Sequence, residues 1–258
     1  MQNIASWAGK VIAMRSIKPA KYLMMAVALA LTASPAWADD ASGATASESA
    51  PSDYGSVRGL ALSGDAGYYT YGMDDVNNHF NHGEGNAING GMGYGVAAKL
   101  GLTRRLAAKV GIDYLFASRD ASRTISDTTY NTTVNLPATM LFVGGEYVLL
   151  PLRILNVKVI GGYTLTDIYN GDEKGSNGNE RDFGAITGSG SGFQAGLGAE
   201  LFLASSFSLQ ADLAYNYAKI NNATFAGSTA DPGSTDRNGA VDYSGLVAKL
   251  ALNIYLFR

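Results

Sequence analysis

From Arg58 onward the chain alternates apolar and polar residues with a period of two, the spacing that sends successive side chains to opposite faces of a β-strand. The clearest stretch is Val241 to Phe257. It sets Leu246, Ala248, Leu250, Leu252, Ile254 and Leu256 against Lys249, Ala251, Asn253 and Tyr255. Phe207 to Ala218 repeats the scheme, with Phe207, Leu209, Ala211, Leu213, Tyr215 and Tyr217 opposite Ser208, Gln210, Asp212, Ala214 and Asn216. Upstream, Phe193, Ala195, Leu197, Ala199, Leu201 and Leu203 share a face, as do Val157, Val159, Tyr163 and Leu165, and Leu141, Val143 and Tyr147. Three more strands carry Leu106, Ala108, Val110, Ile112, Tyr114 and Phe116; Met92, Tyr94, Val96, Ala98, Leu100 and Leu102; and Leu60, Leu62, Ala66 and Tyr68. That makes eight strands of roughly 10 to 15 residues, longer than the usual soluble strand and long enough to cross a bilayer at a tilt. No window beyond the N-terminal region shows a helical stripe.

The connections alternate strictly in length. Short ones lie around Thr103 to Arg105, Pro151 to Leu155 and Ala204 to Ser206; long polar ones are Gly72 to Ala87, Ser118 to Asn135, Asn170 to Gly188 and Ile220 to Ala240. An antiparallel barrel in the bacterial outer membrane has short periplasmic turns and long outer loops, so both ends of the strand region are expected on the periplasmic side. Arg104, Arg105 and Arg153 fall in the short turns with no acid beside them, whereas the long loops are rich in acids, which predicts an acidic outer surface.

The N-terminus changes the picture from a soluble domain to an exported one. Lys10, Arg15, Lys18 and Lys21 precede the apolar run Tyr22 to Leu31 and then Ala36-Trp37-Ala38, the layout of a secretory signal peptide cut before Asp39. The run is too short for a membrane-spanning helix, and Met14 is an alternative start. The expected organisation is a signal peptide at 1–38, a flexible periplasmic leader at 39–57, rich in Ala, Ser, Asp and Glu, and a barrel domain at 58–258. Removal of the signal leaves 15 basic and 22 acidic residues, a net charge of −7, which argues against nucleic-acid binding. The chain has no cysteine, so an exported fold must be held by packing and a closed hydrogen-bond network.

Eight strands enclose too little space for an open aqueous channel, so side chains must fill the interior. The inward face carries Asp65, Lys99, Lys109, Asp113, Glu146, Lys158, Glu200, Asp212 and Lys249, five acids and four lysines. Buried charges must pair. Two layers are expected: Lys109, Glu146, Lys158 and Glu200 with Lys99 near the short turns, and higher up Lys249 between Asp212 and Asp65, with Asp113 further round. The opposing reading is that interior water simply solvates these groups. Outward aromatics near strand ends, among them Tyr68, Tyr114, Phe116, Tyr215 and Tyr217 above and Tyr147, Phe207 and Phe257 below, suit two interfacial girdles.

The signal layout, the eight alternating strands, the glycine–tyrosine richness and the end Asn253-Ile254-Tyr255-Leu256-Phe257 resemble the small outer-membrane barrel superfamily that includes the OmpA transmembrane domain, OmpX, Ail and the opacity proteins. The resemblance spans Arg58 to Arg258. It implies an all-β, eight-stranded antiparallel up-and-down barrel in the outer membrane of a Gram-negative bacterium. Such proteins end on an aromatic residue read by the assembly machinery; this chain ends on Arg258, and its last apolar face is out of phase with Phe257.

Chemistry-bearing residues are sparse. His79 and His82 are the only histidines and sit in the first long loop. Together with Asp120 and Ser122 of the second loop they are similar to the loop-borne site of a lipid A palmitoyltransferase barrel, but no amphipathic helix precedes the first strand, and the favoured reading is solvated loop residues. Gly90-Gly91-Met92-Gly93-Tyr94-Gly95 runs into a strand, not a helix, so it is read as close packing and not as a phosphate loop. Asp74, Asp75, Asp172, Glu173, Glu180 and Asp182 are read as a solubilising surface before a cation site. The expected protein is therefore not an enzyme and has no cofactor or metal. It is a monomeric, pore-less barrel with a structural or surface-interaction role, whose partners are outer-membrane lipids and lipopolysaccharide, the barrel assembly machinery and an extracellular or host ligand. The alternatives are a lipid A-modifying enzyme and a soluble lipocalin-like carrier, the latter requiring the charged face to point outward.

Overall fold

The computed structural model describes residues 59–79, 84–85, 87–125, 128–176, 180–225 and 237–257. The expected signal peptide and leader at 1–57, Arg58, His82 and Arg258 lie outside them. The strands are β1 (Gly59–Thr70), β2 (Glu84–Gly85), β3 (Gly90–Gly101), β4 (Leu106–Leu115), β5 (Ser118–Ile125), β6 (Thr128–Asn135), β7 (Ala138–Pro151), β8 (Leu155–Ser176), β9 (Glu180–Ala204), β10 (Phe207–Phe225), β11 (Arg237–Asp242) and β12 (Gly245–Phe257). One short helix, α1 (Asp74–His79), follows β1. No helix among the described residues is long and apolar enough to cross a membrane.

Eight strands close on themselves. β1 pairs with β3, β3 with β4, β4 with β7, β7 with β8, β8 with β9, β9 with β10, β10 with β12, and β12 returns to β1, every pair antiparallel. Closure leaves no free edge in the wall, so the backbone polar groups of a leucine-faced sheet are satisfied without water. The alternation read from sequence holds in the wall. Leu209, Leu213, Leu250, Leu252, Leu197 and Tyr163 are exposed, whereas their neighbours Ser208, Gln210, Lys158, Thr164 and Asn253 are buried. Two positions depart from it. Leu60 is buried beside a register shift between Leu60 and Ala61, and Ile112 is buried between its register partners Val96 and Leu141.

The long connections correct the sequence reading. β8 and β9 hold 22 and 25 residues, at least twice the ~9 to 11 that a tilted strand needs to cross hydrocarbon. They carry the expected third loop, Asn170 to Gly188, on as paired strand up to its tip. The expected second loop is the hairpin β5–β6, whose outer strand pairs with the β8 extension. In the fourth, β10 runs on to Phe225 and pairs with β11. Val241 therefore belongs to β11, and the last barrel strand begins at Gly245. The first loop contains α1, a helix the period-two reading did not contain. Register shifts between Ile168 and Gly171, Glu173 and Lys174, and Lys219 and Thr224 break the two-residue repeat in these extensions although the backbone pairing continues. The result is a sheet in the order β2-β5-β6-β8-β9-β10-β11 rising from the loop end of the barrel.

The inward positions include many glycines because a few long side chains on neighbouring strands fill the lumen. Phe142 is the plainest case: a Cβ built on Gly144 or on Gly162 would lie 2.6 Å from its Cζ. At Asn170 the backbone takes φ 51°, in the left-handed region that asparagine tolerates, within the bulge of β8 between Ile168 and Gly171.

Candidate functional site

Two compartments occupy the lumen, ionic toward the turn end and apolar toward the loop end. At the turn end, Lys99 and Lys109 stand directly opposite in the β3–β4 register, an arrangement that repels unless an anion lies between them. Glu146 supplies it from β7: its carboxylate is 3.5 Å from Lys99 Nζ, 3.2 Å from Lys109 Nζ and 2.6 Å from Lys158 Nζ. Lys158, fully buried on β8, also lies 2.9 Å from Glu200 and donates to Gln210 Oε1 at 2.8 Å. Glu200 accepts further bonds from Ser208 Oγ, from Asn253 Nδ2 at 2.9 Å and from Tyr255 Oη at 2.7 Å. Glu146 and Glu200 thus each have lysine partners and neutral donors for remaining lone pairs, the condition under which ions are tolerated away from water.

Gln210 joins the parts. Its Oε1 accepts from Lys99, Lys158 and Asn253, while its Nε2 donates to Asp212 at 2.6 and 2.7 Å and to Glu146 at 3.3 Å. Asp212 in turn lies 3.9 Å from Lys109. Asp212, expected in the upper layer, is thus bound into the lower one. Lys249 is the register partner of Asp212, yet its ion pairs are with Asp113 at 2.6 Å and Asp65 at 3.6 Å. Gly67 and Gly95 leave the lane it follows: a Cβ on Gly67 would sit 2.8 Å from Lys249 Cγ, and one on Gly95 3.0 Å from Asp65 Oδ1. Lys249 also passes over the ring of Tyr69, 5.4 Å from its centroid. Of the nine residues singled out from the sequence, Lys99, Lys109, Glu146, Lys158, Glu200 and Asp212 meet around Gln210, and Lys249, Asp113 and Asp65 form a second cluster. Gln210, Asn253, Ser208 and Tyr255 were missed as partners. Their inward phase was legible; their reach across the barrel was not.

The loop-end compartment has no counterpart in the sequence reading. Leu115, Met140, Ile168, Ile186, Ile220 and Val247, all inward and buried, pack with Tyr69, Tyr71 and Tyr243. Tyr243 Oη crosses the lumen to donate to Leu136 O at 2.8 Å, with Tyr71 against it edge-on at 5.4 Å. The first connection seals the compartment, burying Met73, Val76 and Ile88 to 1% exposure each. Asn77 holds that connection closed through a pair of bonds to Ile88, its Nδ2 donating to Ile88 O at 3.2 Å and its Oδ1 accepting from Ile88 N at 2.8 Å. Arg119 of β5 donates to Asn77 O at 3.4 Å and ties α1 to the raised sheet.

Of the loop residues weighed for catalysis, His79, Asp120 and Ser122 fall on elements joined through Arg119 and Asn77, and His82 lies outside the described residues. His79 ends α1. Asp120 is exposed on β5 and accepts from Thr133 Oγ1 at 2.7 Å, and Ser122, two residues on, pairs in register with Glu84. Asp172 accepts from Asn135 Nδ2 at 2.9 Å. On the outer wall, Tyr94 packs at 5.4 Å from Tyr114 and 5.5 Å from Phe116, and Phe193 stacks on Tyr217 at 5.4 Å. These rings form an aromatic band toward the loop end, with Tyr147 and Phe207 toward the turn end.

A closed eight-stranded barrel with a leucine-faced exterior, a filled lumen and paired interior charges defines the class. No protein-family model matches the chain, and no curated protein matches its sequence. A solved structure shares its fold. The outer membrane protein OprG from Pseudomonas aeruginosa superposes with a TM-score of 0.55 at 10% identity, over 80% of this chain and 100% of that one. A major outer membrane protein from Thermus thermophilus aligns with a TM-score of 0.44 at 15% identity, over 76% of this chain and 98% of that one. Ail, the attachment invasion locus protein of Yersinia pestis, aligns at 0.37 and 12%, over 77% and 98%. The fold is the one OprG displays.

Proposed function

We propose that this chain is an integral protein of the Gram-negative outer membrane, exported by a cleaved signal peptide at 1–38, with a structural or surface-interaction role and no catalytic one. One observation carries the reading: around a closed barrel the exposed face is leucine, tyrosine and phenylalanine, while the ions lie inside, an arrangement that water would penalise and hydrocarbon favours. The ionic network and the apolar cap obstruct the lumen in series, which supports a pore-less barrel. The raised sheet of β2, β5, β6 and the extensions of β8 to β11 is the part that meets the exterior, bearing the acid-rich loops. Its partners are outer-membrane lipids, lipopolysaccharide and an extracellular or host ligand, with the barrel assembly machinery acting during biogenesis.

A lipid A-modifying enzyme is the second reading, and it requires His79 or His82; alanine at either must then abolish any activity found. A lipocalin-like carrier would need its apolar face to line the cavity, whereas the lumen here is ionic at its turn end. The test is cell fractionation followed by gel electrophoresis of unheated and boiled samples. The protein is expected in the outer-membrane fraction with a heat-dependent mobility, and recovery as a soluble monomer without detergent would overturn the proposal.

A further inference from the structure

The turn end of the barrel has an unusual surface for a water-facing rim. Turns this short are ordinarily built from glycine, asparagine, aspartate or serine. Here the second turn reads Leu149-Leu150-Pro151-Leu152-Arg153-Ile154 beyond the last girdle residue Tyr147, and Leu150, Leu152 and Ile154 are each more than half exposed. A register shift between Val148 and Leu150 breaks the alternation there, so Leu149 and Leu150 both face out. The first turn adds exposed Leu102, Arg104 and Arg105.

These turns are pinned in place. Arg105 O accepts from Val148 N at 2.8 Å, which sets the first turn against the end of β7. Ile154 O accepts from Phe202 N at 2.8 Å, and Thr103 Oγ1 accepts from the backbone N–H of Arg105 and Leu106 at 3.2 and 3.0 Å. Two neighbouring turns therefore present Arg104, Arg105 and Arg153, all exposed, among aliphatic side chains on a fixed backbone, and no exposed acid is found among the described residues of this rim. Aliphatic groups interleaved with guanidinium match a bilayer interface, where the stem rests on acyl chains and the planar head binds phosphate through two parallel bonds.

We propose that the first two turns form a docking surface for the phosphate headgroups of anionic phospholipids in the inner leaflet of the membrane. The proposal rests on the membrane reading above and on the orientation that puts the short turns on the periplasmic side. It gives the barrel a chemical asymmetry, arginine and phospholipid at one end and acid-rich loops at the other.

The test reconstitutes the full chain into phosphatidylcholine vesicles containing spin-labelled phosphatidylglycerol or spin-labelled phosphatidylcholine and compares the motionally restricted fraction of each. The native chain is expected to favour phosphatidylglycerol, with the preference falling up to about fivefold per arginine removed. It should approach one in Arg104→Gln/Arg105→Gln/Arg153→Gln and persist at a reduced level in the corresponding triple lysine variant, which keeps the charge but not the two parallel bonds. Heat-dependent gel mobility of every variant reports that the barrel is intact. An inserted native chain with no headgroup preference, as expected if a periplasmic protein occupies the rim, overturns the inference alone. So does a preference that survives the glutamine variant, which would put the anion elsewhere. Failure of the chain to insert at all overturns the membrane reading with it.

Discussion

Replacing Lys249 with methionine isolates the ionic network at its most exposed dependence. Methionine keeps an unbranched chain one atom shorter and removes the ammonium group, with it the charge and the contact of Nζ with the Tyr69 ring. Asp113 at 2.6 Å and Asp65 at 3.6 Å then lose the sole lysine within 4 Å of either carboxylate among the described residues. Both acids are nearly inaccessible, at 6% side-chain exposure each, so water cannot take over the lost role. Removing one member of a buried ion pair costs about 3 to 5 kcal/mol, because the partner charge stays behind. With a urea slope of ~2 kcal/mol/M, a cost of ~4 kcal/mol moves the unfolding midpoint down by about 2 M. The assay is a urea titration in vesicles or detergent, with the folded fraction read from the mobility of unheated samples. Adding Asp65→Asn and Asp113→Asn to Lys249→Met should restore stability to within about 1 to 2 kcal/mol of the native chain, since the neutral cluster has no stranded charge. An unchanged midpoint in Lys249→Met would show the groups to be solvated and not paired. A triple variant no more stable than the single one would show that charge is not the reason for its instability.

Three further outcomes follow from the same geometry. Lys99→Met should cost less than Lys249→Met in the same titration, because Glu146 keeps Lys109 at 3.2 Å and Lys158 at 2.6 Å; an equal loss would contradict the connected network. Leu213→Arg, on the exposed face opposite Ala248, should lower stability in lipid by about 2 to 4 kcal/mol if that face meets mid-bilayer hydrocarbon, and have little effect if it meets water. Val76→Asp puts a charge into the apolar cap at a position 1% exposed; it should open the first connection to proteolysis while the boiled and unboiled forms still differ in mobility, and resistance equal to the native chain would mean that α1 is not what seals the cap.

The barrel was legible in the sequence because a closed wall between an apolar outside and a filled inside imposes one rule on every strand, and period-two alternation states that rule directly. Leu246 through Leu256 and Phe207 through Tyr217 could be assigned a face by counting alone, and short turns against long connections gave the up-and-down order. The inward phase of Lys99, Glu146, Lys158 and Lys249 came with it. Their partners did not, because strand stagger and glycine placement decide which inward groups meet. Asp212 is beside Lys249 in register, yet the lane over Gly67 and Gly95 carries that lysine to Asp113. The extensions of β8, β9 and β10, the β5–β6 hairpin and α1 were read as loops because their sequences are mostly polar and bulges interrupt the two-residue repeat, although residues such as Ile186 and Phe225 still turn into the apolar cluster. Sequence alone determined which face of each strand turns outward, since that depends only on a local repeat and the medium it meets. The tertiary structure decided how the lumen is divided into an ionic network and an apolar cap, since both are assembled by side chains from distant strands converging across a closed interior.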